Sequence, residues 1–516
     1  MTFNKNYLFI STIVIFSFLT NFHYAHIGVM PMDNFVLYNG GYRVLNGYVP
    51  FSDYWLVTGP LLDYLNALFF LIGGVSWKVY IIHSSLFNSL IALSTYFFLI
   101  NLELNKNFSF FYSILFSLLM YPVVGTPFVD HHSTIFTMLA YYLVIIGIKK
   151  NNKNHFLFVP FLICLAFLSK QTPAAYGLIG LIFIFSIYIF LNKKDFIDII
   201  KPILYGSIFS ILFIIFFFYL AKINFLDFFQ QYILFAKTIG DNRLLNNIFN
   251  FRSVFLEYKF LNVLIILLIF ILFKLTDKFT KNKKDFIIIF SSLLLSFLLI
   301  FHQIITLNQN YIFFLIPLVA ALIHKFQNKI FHKNKLLLYC SILICIYAVG
   351  KYHMRFNEHR KFNELEKVNL KQAVDAEILH SSLSGLKWIT LNYPNNPNKE
   401  ILYLKEAMQI IKDDNRKKTL ITPYQFIAPA LFIYDNSPNQ WHHPTVSFPI
   451  KGQKYFSFYK NFFIKSLKEN NIEVIYVIDK NGGEILNLIL NQKCFSTKKV
   501  GEMIYKNELA KKCEDF

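Results

Sequence analysis

Charge is scarce in this chain, and acidic charge scarcest. Only 16% of its 516 residues are Asp, Glu, Lys or Arg, and 30 acidic residues stand against 50 Lys and Arg. A soluble globular chain carries roughly 25% charged residues, so an ordinary water-soluble enzyme is excluded. Five cysteines are too few for a disulfide scaffold. With 19 glycines and 16 prolines, the chain is neither collagen-like nor low-complexity. No Gly-rich phosphate loop or dinucleotide fingerprint occurs, so ATP- or NAD-driven chemistry is not expected. There is no repeat with a period of about 20–50 residues either.

What the chain has is apolar and aromatic. Hydrophobic residues make up 55%, Phe alone occurs 61 times, and mean hydropathy is +0.45. This composition defines an α-helical polytopic membrane protein. The net charge of +20 invites a nucleic-acid reading, which the charge distribution opposes. Residues 1–350 carry 25 Lys/Arg against 12 Asp/Glu, and the Lys fall in short clusters between apolar runs. That is the pattern of topology signalling, and no nucleic-acid partner is expected.

A membrane span takes roughly 20 apolar residues. Such runs occupy 7–25, 79–100, 108–124, 133–148, 156–169, 174–191, 202–221, 261–276, 286–301, 311–324 and 336–350. Lys149, Lys150 and Lys153 form one basic cluster, and Lys193, Lys194 and Lys201 the next. Placing both on the cytoplasmic side makes 156–191 turn around once, at Ser169-Lys170-Gln171-Thr172-Pro173. The same rule makes 286–324 turn between His302-Gln303 and Asn310, and it leaves 61–73 as a membrane-dipping or interfacial segment. The expectation is about eleven spans in residues 1–350, with the N-terminus inside and the C-terminus outside. Residues 7–22 have the length of a signal-peptide core, but Phe22-His23-Tyr24-Ala25-His26 is a poor cleavage site, so an uncleaved first span is expected.

After Gly350 the composition turns polar. Strands are predicted at 419–422 and 472–478, and helices from Asn398 and over 458–467 and 484–490. Residues 351–516 are therefore expected to form a small soluble α/β domain, extracytoplasmic by span parity. Cys494 and Cys513 would lie in that oxidising space, either paired or free.

On this topology the unusual polar residues share the outer face. The first outer loop, 26–78, carries Asp33, Tyr42, Arg43, Asp53 and Tyr54. A second turn carries Asp130, His131 and His132, a third Lys170 and Gln171, and a fourth loop, 222–260, Arg243 and Arg252. His302-Gln303 lies at a fifth. Ionisable residues at membrane depth are costly and point to function. Each also has a structural reading. Asp33 can N-cap a helix over 34–45 that ends near Gly47, Asp53 can hold a turn, and the Tyr and Trp side chains can form an interfacial belt. Asp130 can cap the next span or join a metal cluster, and Lys170 can snorkel. Gly40-Gly41 weakens a helix by roughly 1 kcal/mol per Gly, so something other than helix strength favours that loop.

The segment from Asp33-Asn34-Phe35 through Gly40-Gly41-Tyr42-Arg43-Val44-Leu45-Asn46-Gly47-Tyr48-Val49-Pro50-Phe51-Ser52-Asp53-Tyr54, with Gly59-Pro60-Leu61 and Tyr64, resembles the first extracytoplasmic loop of GT-C membrane glycosyltransferases. It is most similar to the bacterial family 39, protein mannosyltransferase-like group and the related lipopolysaccharide-sugar transferases. Leu168-Ser169-Lys170-Gln171 resembles a Lys-Gln turn of that group. The resemblance implies a polyprenyl-phosphate sugar donor, a glycan, lipid or protein acceptor at the outer face of a bacterial-type inner membrane, and an acidic first-loop base. Several members carry adjacent Asp-Glu where this chain has Asp33-Asn34, which leaves Asp33 as the matching base. No cofactor is firmly implied, and a divalent metal remains open.

The expected chemistry gives Asp33 the acceptor proton, with Asp53 as its partner. Lys170, with Arg43 or Arg243, faces the leaving phosphate. Tyr42, Tyr54, His131, His132 and Gln171 complete the binding set. A single displacement inverts the anomeric carbon. The rival classes are a carrier or flippase for lipid-linked sugars, and an O-antigen polymerase or ligase with an Arg-rich late loop.

Overall fold

The computed structural model describes residues 5–245, 249–276, 279–307, 311–330, 335–433, 437–479 and 485–510. It divides into two compact units, each discontinuous in sequence. One contains Met1–Tyr24, Ser84–Phe217 and Arg243–Glu358; the other contains Ala25–His83, Phe218–Asn242 and His359–Phe516.

Each of the apolar runs coincides with a helix. Among the described residues seven helices are long and apolar enough to cross a membrane, including Trp77–Asn101, Val129–Lys150, Gln171–Leu191 and Lys283–Ile305. Leu61–Gly73, the expected dipping segment, is a helix of 13 residues. At about 1.5 Å rise per residue it extends roughly 20 Å, too short for a hydrocarbon core of about 30 Å. The break expected at Ser169–Pro173 within 156–191 also forms. Val159–Ser169 ends at Lys170, whose extended backbone (φ −156°, ψ 136°) interrupts the helix before Gln171–Leu191 begins. The turn expected after His302 lies partly in 308–310, outside the described residues.

The first unit is a helical body whose packing is pinned by small polar groups. Asn21 Nδ2 reaches Ser84 Oγ, Ser85 Oγ and the Gly125 carbonyl, each at 3.0 Å. Asn88 Nδ2 donates to the Ser17 carbonyl at 2.8 Å and the Ser117 carbonyl at 3.2 Å. Between apolar helices such bonds fix which faces meet, because burial of one apolar face against another is no better than contact with lipid. On Phe196–Leu220 the side chains of Leu204, Ile208, Phe209, Leu212 and Phe216 are exposed, as suits a lipid-facing surface. At one end Glu103 receives Lys149 Nζ at 3.1 Å and Lys325 Nζ at 3.2 Å.

The second unit contains a four-stranded mixed sheet. Its strands are β1 (Lys418–Ile421), β2 (Val474–Ile478), β3 (Phe495–Lys499) and β4 (Ile504–Leu509), in the order β1-β2-β4-β3. β1 and β2 are parallel and the other pairs antiparallel. β2 reads Val-Ile-Tyr-Val-Ile and is buried along its whole length, as a central strand covered on both faces should be. The helix Phe456–Glu469 lies between β1 and β2 in sequence, and its Tyr459, Phe463 and Leu467 pack with Ile421, Ile475 and Val477 around Trp55 and Phe235. The predicted α/β pattern after Gly350 therefore forms, and the same core includes side chains from the first loop and from 218–242. Cys494 is disulfide-bonded; Cys513 lies outside the described residues.

Candidate functional site

The sequence-predicted site residues among the described residues fall in two constellations, one in each unit. In the first unit the helix Val129–Lys150 begins with Asp130, His131 and His132, all fully buried. Asp130 does not cap this helix: Phe128 holds the N-cap position and makes no side-chain cap bond. Instead Asp130 Oδ2 receives Lys170 Nζ at 2.7 Å, and Oδ1 lies 3.5 Å from His302 Nε2. Thr172 Oγ1 is 3.2 Å from the same His302 nitrogen. The break at Lys170 is what allows this: Ser133 Oγ donates to the Lys170 carbonyl at 3.0 Å and holds the link against the Asp130 helix. Arg243 lies within electrostatic reach of Asp130 and His302 and is half-buried. One carboxylate thus faces two permanent cations. The surplus positive charge, in a site from which most water is excluded, is suited to an anionic phosphate.

His131 and His132 belong to the packing of this corner. His132 Nδ1 is 2.5 Å from the Tyr121 hydroxyl, and its ring sits 4.1 Å from that of Phe87. His131 lies against the Tyr121 and Phe128 rings at 5.3 and 5.9 Å. Gln171 opens the helix that follows Lys170. Among the described residues no three His, Cys, Asp or Glu side chains converge as a metal cluster.

The second constellation is in the first loop. Asp33 lies in the helical turn Pro31–Asn34, and the helix Val36–Leu45 takes Phe35 as its N-cap without a side-chain bond. The capping role open to Asp33 is therefore not the one it has. That helix ends as expected, with Gly47 at φ +88° in the left-handed region where glycine is unstrained. Asp53 is exposed, and its Oδ2 accepts the Val49 N–H at 2.6 Å, so it holds the turn that carries Tyr54. Tyr42 is buried, with its hydroxyl 3.5 Å from the Ile433 carbonyl.

Arg43 is 1% exposed. Its guanidinium carbon lies 4.9 Å over the Tyr54 ring, and Nη1 donates to the Asn439 carbonyl at 3.2 Å. The Tyr54 hydroxyl donates to Asp63 Oδ2 at 2.7 Å, and Gln440 Nε2 donates to both Asp63 oxygens at 2.8 and 2.9 Å. Burial raises the Asp63 carboxyl to about 7, against the lowering effect of Tyr54, Gln440 and Arg43. The Tyr54 phenol is pushed well above its usual range, by burial first and then by the Asp63 charge. Asp63 and Gln440 carried no signal in the sequence reading. The one hint was Gly40-Gly41: a Cβ on Gly40 would stand 2.1 Å from Asp63 Oδ1 and 2.5 Å from Gln440 Nε2.

The fold and these two clusters define a polytopic helical membrane protein with buried ionisable groups. Residues 57–220 match the family described as dolichyl-phosphate-mannose-protein mannosyltransferase. That match covers about a third of the chain and agrees with the GT-C resemblance of the sequence. Among solved structures the chain is similar to the oligosaccharyltransferase AglB of Archaeoglobus fulgidus, determined with an inhibitory peptide and a dolichol-phosphate. The two share 10% identity at a TM-score of 0.39, over 92% of this chain and 70% of that one. No curated protein matches the chain in sequence.

Proposed function

We propose that this protein transfers a sugar from a polyprenyl-phosphate donor to an acceptor hydroxyl of a cell-envelope glycan, lipid or protein at the outer membrane face. The observation that carries the reading is the Lys170–Asp130–His302 cluster with Arg243 beside it. It offers net positive charge where a lipid phosphate needs compensation. Arg43, buried against Tyr54 and bonded to the Asn439 carbonyl, is already occupied, which favours Arg243 as the second phosphate cation. The base is Asp33, on the strength of the loop motif that carries the GT-C resemblance.

In the proposed reaction the acceptor oxygen attacks the anomeric carbon, and its proton passes to the Asp33 carboxylate. The bond from that carbon to the phosphate oxygen breaks, and the lipid phosphate leaves with the electron pair. Lys170 and Arg243 balance the charge that gathers on the leaving oxygen. One displacement inverts the anomeric configuration. Nucleotide sugars are cytoplasmic, so an outer-face reaction needs a membrane-borne donor. The bonded state of Cys494 supports an oxidising compartment for the C-terminal region.

The test is incubation of membranes containing the protein with radiolabelled polyprenyl-phosphate sugars. A labelled, inverted glycoside supports the reading. Movement of intact lipid-linked sugar across the bilayer without a new glycosidic bond favours a carrier.

A further inference from the structure

We propose that Asp63 is the positioning residue of the first loop, its buried carboxylate tying the Tyr54 turn to segment 437–441. Nothing in the proposed chemistry uses Asp63, yet it lies in the first turn of Leu61–Gly73, 1% exposed, and three hydrogen bonds converge on it. A buried carboxylate of this kind is tolerated only when its oxygens are satisfied and a cation stands near. Tyr54 and Gln440 meet the first requirement, and Arg43 meets the second.

The partners are themselves joined, so the cluster is a closed ring. Trp55 N–H donates to the Pro438 carbonyl at 2.7 Å, and Gln440 N–H returns to the Trp55 carbonyl at 3.1 Å. Gln425 Nε2 donates to the Gln440 carbonyl at 2.6 Å, and Asn39 Nδ2 reaches Gln425 Oε1 at 3.3 Å. The ring thus draws on three stretches of the first loop, at Asn39–Arg43, Tyr54–Trp55 and Asp63, and on two of the C-terminal region. Gly40 supplies the space in which Asp63 and Gln440 meet. Removing the carboxylate leaves Tyr54, Gln440 and a buried Arg43 without their common partner, and the loop's aromatic turn loses its reference point.

The test is hydrogen–deuterium exchange on the full-length protein in nanodiscs, comparing the unaltered chain with Asp63→Leu, Gln440→Leu and Asp63→Asn. Asp63→Leu and Gln440→Leu should each speed exchange at the Trp55 and Gln440 amides by about tenfold, while Val129–Lys150 stays protected. Asp63→Asn should fall between, because its amide oxygen still accepts one of the bonds. Unchanged exchange at both amides overturns the inference. So does loss of protection spread evenly over the chain, which marks a carboxylate that serves general stability only. This readout needs no substrate, so its outcome is independent of whether the protein transfers sugar. Where transfer is measured, the positioning role predicts a raised KM that Asp63→Asn partly restores.

Discussion

Lys170 Nζ lies 2.7 Å from Asp130 Oδ2, across 40 residues of sequence, and the carboxylate is fully buried. Breaking such a pair by removing one partner typically costs about 3–5 kcal/mol, because the other charge is left buried and uncompensated. A loss of activity in Lys170→Met alone would therefore mix two effects. The double variant Asp130→Asn/Lys170→Met separates them. It should be inserted in the membrane at near wild-type abundance yet transfer sugar about 10²–10³-fold more slowly, the usual cost of losing one electrostatic stabiliser. Recovery of near wild-type transfer in the double variant would make Lys170 a partner of Asp130 and nothing more.

Gly40 and Gly240 give opposite expectations for the same substitution. Gly40→Ala puts a methyl group 2.1 Å from Asp63 Oδ1, an overpacking that should cost about 1–3 kcal/mol. Gly240 lies in the helix Ala236–Leu245 with nothing within 4 Å of its would-be Cβ. Gly240→Ala should be neutral or stabilising by up to about 1 kcal/mol. Thermal unfolding in detergent reads both, and a Gly40→Ala midpoint at or above wild type would contradict the packing described for the first loop.

Much of this was legible in the sequence, and what was not has physical reasons. Helices came through because apolar runs between Lys clusters are written locally. The single-residue break at Lys170 came through because one charge interrupts an apolar stretch. β1 and β2 were visible as buried β-branched runs. β3 and β4 were missed because Phe495–Lys499 is an edge strand with Ser496–Lys499 exposed, and Ile504–Leu509 carries Lys506-Asn507-Glu508 in a row, which breaks the period-2 alternation that marks a strand. Asp63 was missed because it sits inside Leu-Leu-Asp-Tyr-Leu, in a stretch that otherwise reads as membrane-dipping, and its partner Gln440 is 377 residues away. Asp130, Lys170 and His302 were each noticed, but no spacing rule shows that two helices and the break at Lys170 bring them to one point. Arg43 has the chemistry of a phosphate ligand in sequence and the burial of a packing residue in the fold.

Asp63 also predicts a pH dependence of stability. Its carboxyl stands at about 7 in the folded protein against an ordinary 3.8. Between those values the folded chain holds a proton that the unfolded chain releases, so stability falls as pH rises from about 4 to about 7 and levels off above. Arg43, Tyr54 and Tyr64 are the charged or titratable groups facing it; the two phenols stay protonated throughout this range because burial pushes both up. The slope should reach up to about 1.4 kcal/mol per pH unit. Unfolding midpoints from pH 4.5 to 8 should show it in the unaltered protein and a flatter curve in Asp63→Asn. Parallel curves would mean that Asp63 is ionised in both states across the range.

The proposed chemistry is tested most directly at Asp33. A general base must take a proton, which a neutral amide cannot do at neutral pH, and Phe35, not Asp33, holds the N-cap position of Val36–Leu45. The measurement is glycoside formed from radiolabelled polyprenyl-phosphate sugar by membranes holding equal amounts of the unaltered protein, Asp33→Asn and Asp33→Glu. The account predicts an inverted product from the unaltered chain, almost none from Asp33→Asn, and a partial yield at best from Asp33→Glu, whose longer side chain misplaces the carboxylate. Transfer by Asp33→Asn at the unaltered rate would contradict the base assignment, and no product from any donor with the unaltered protein would contradict the enzyme itself.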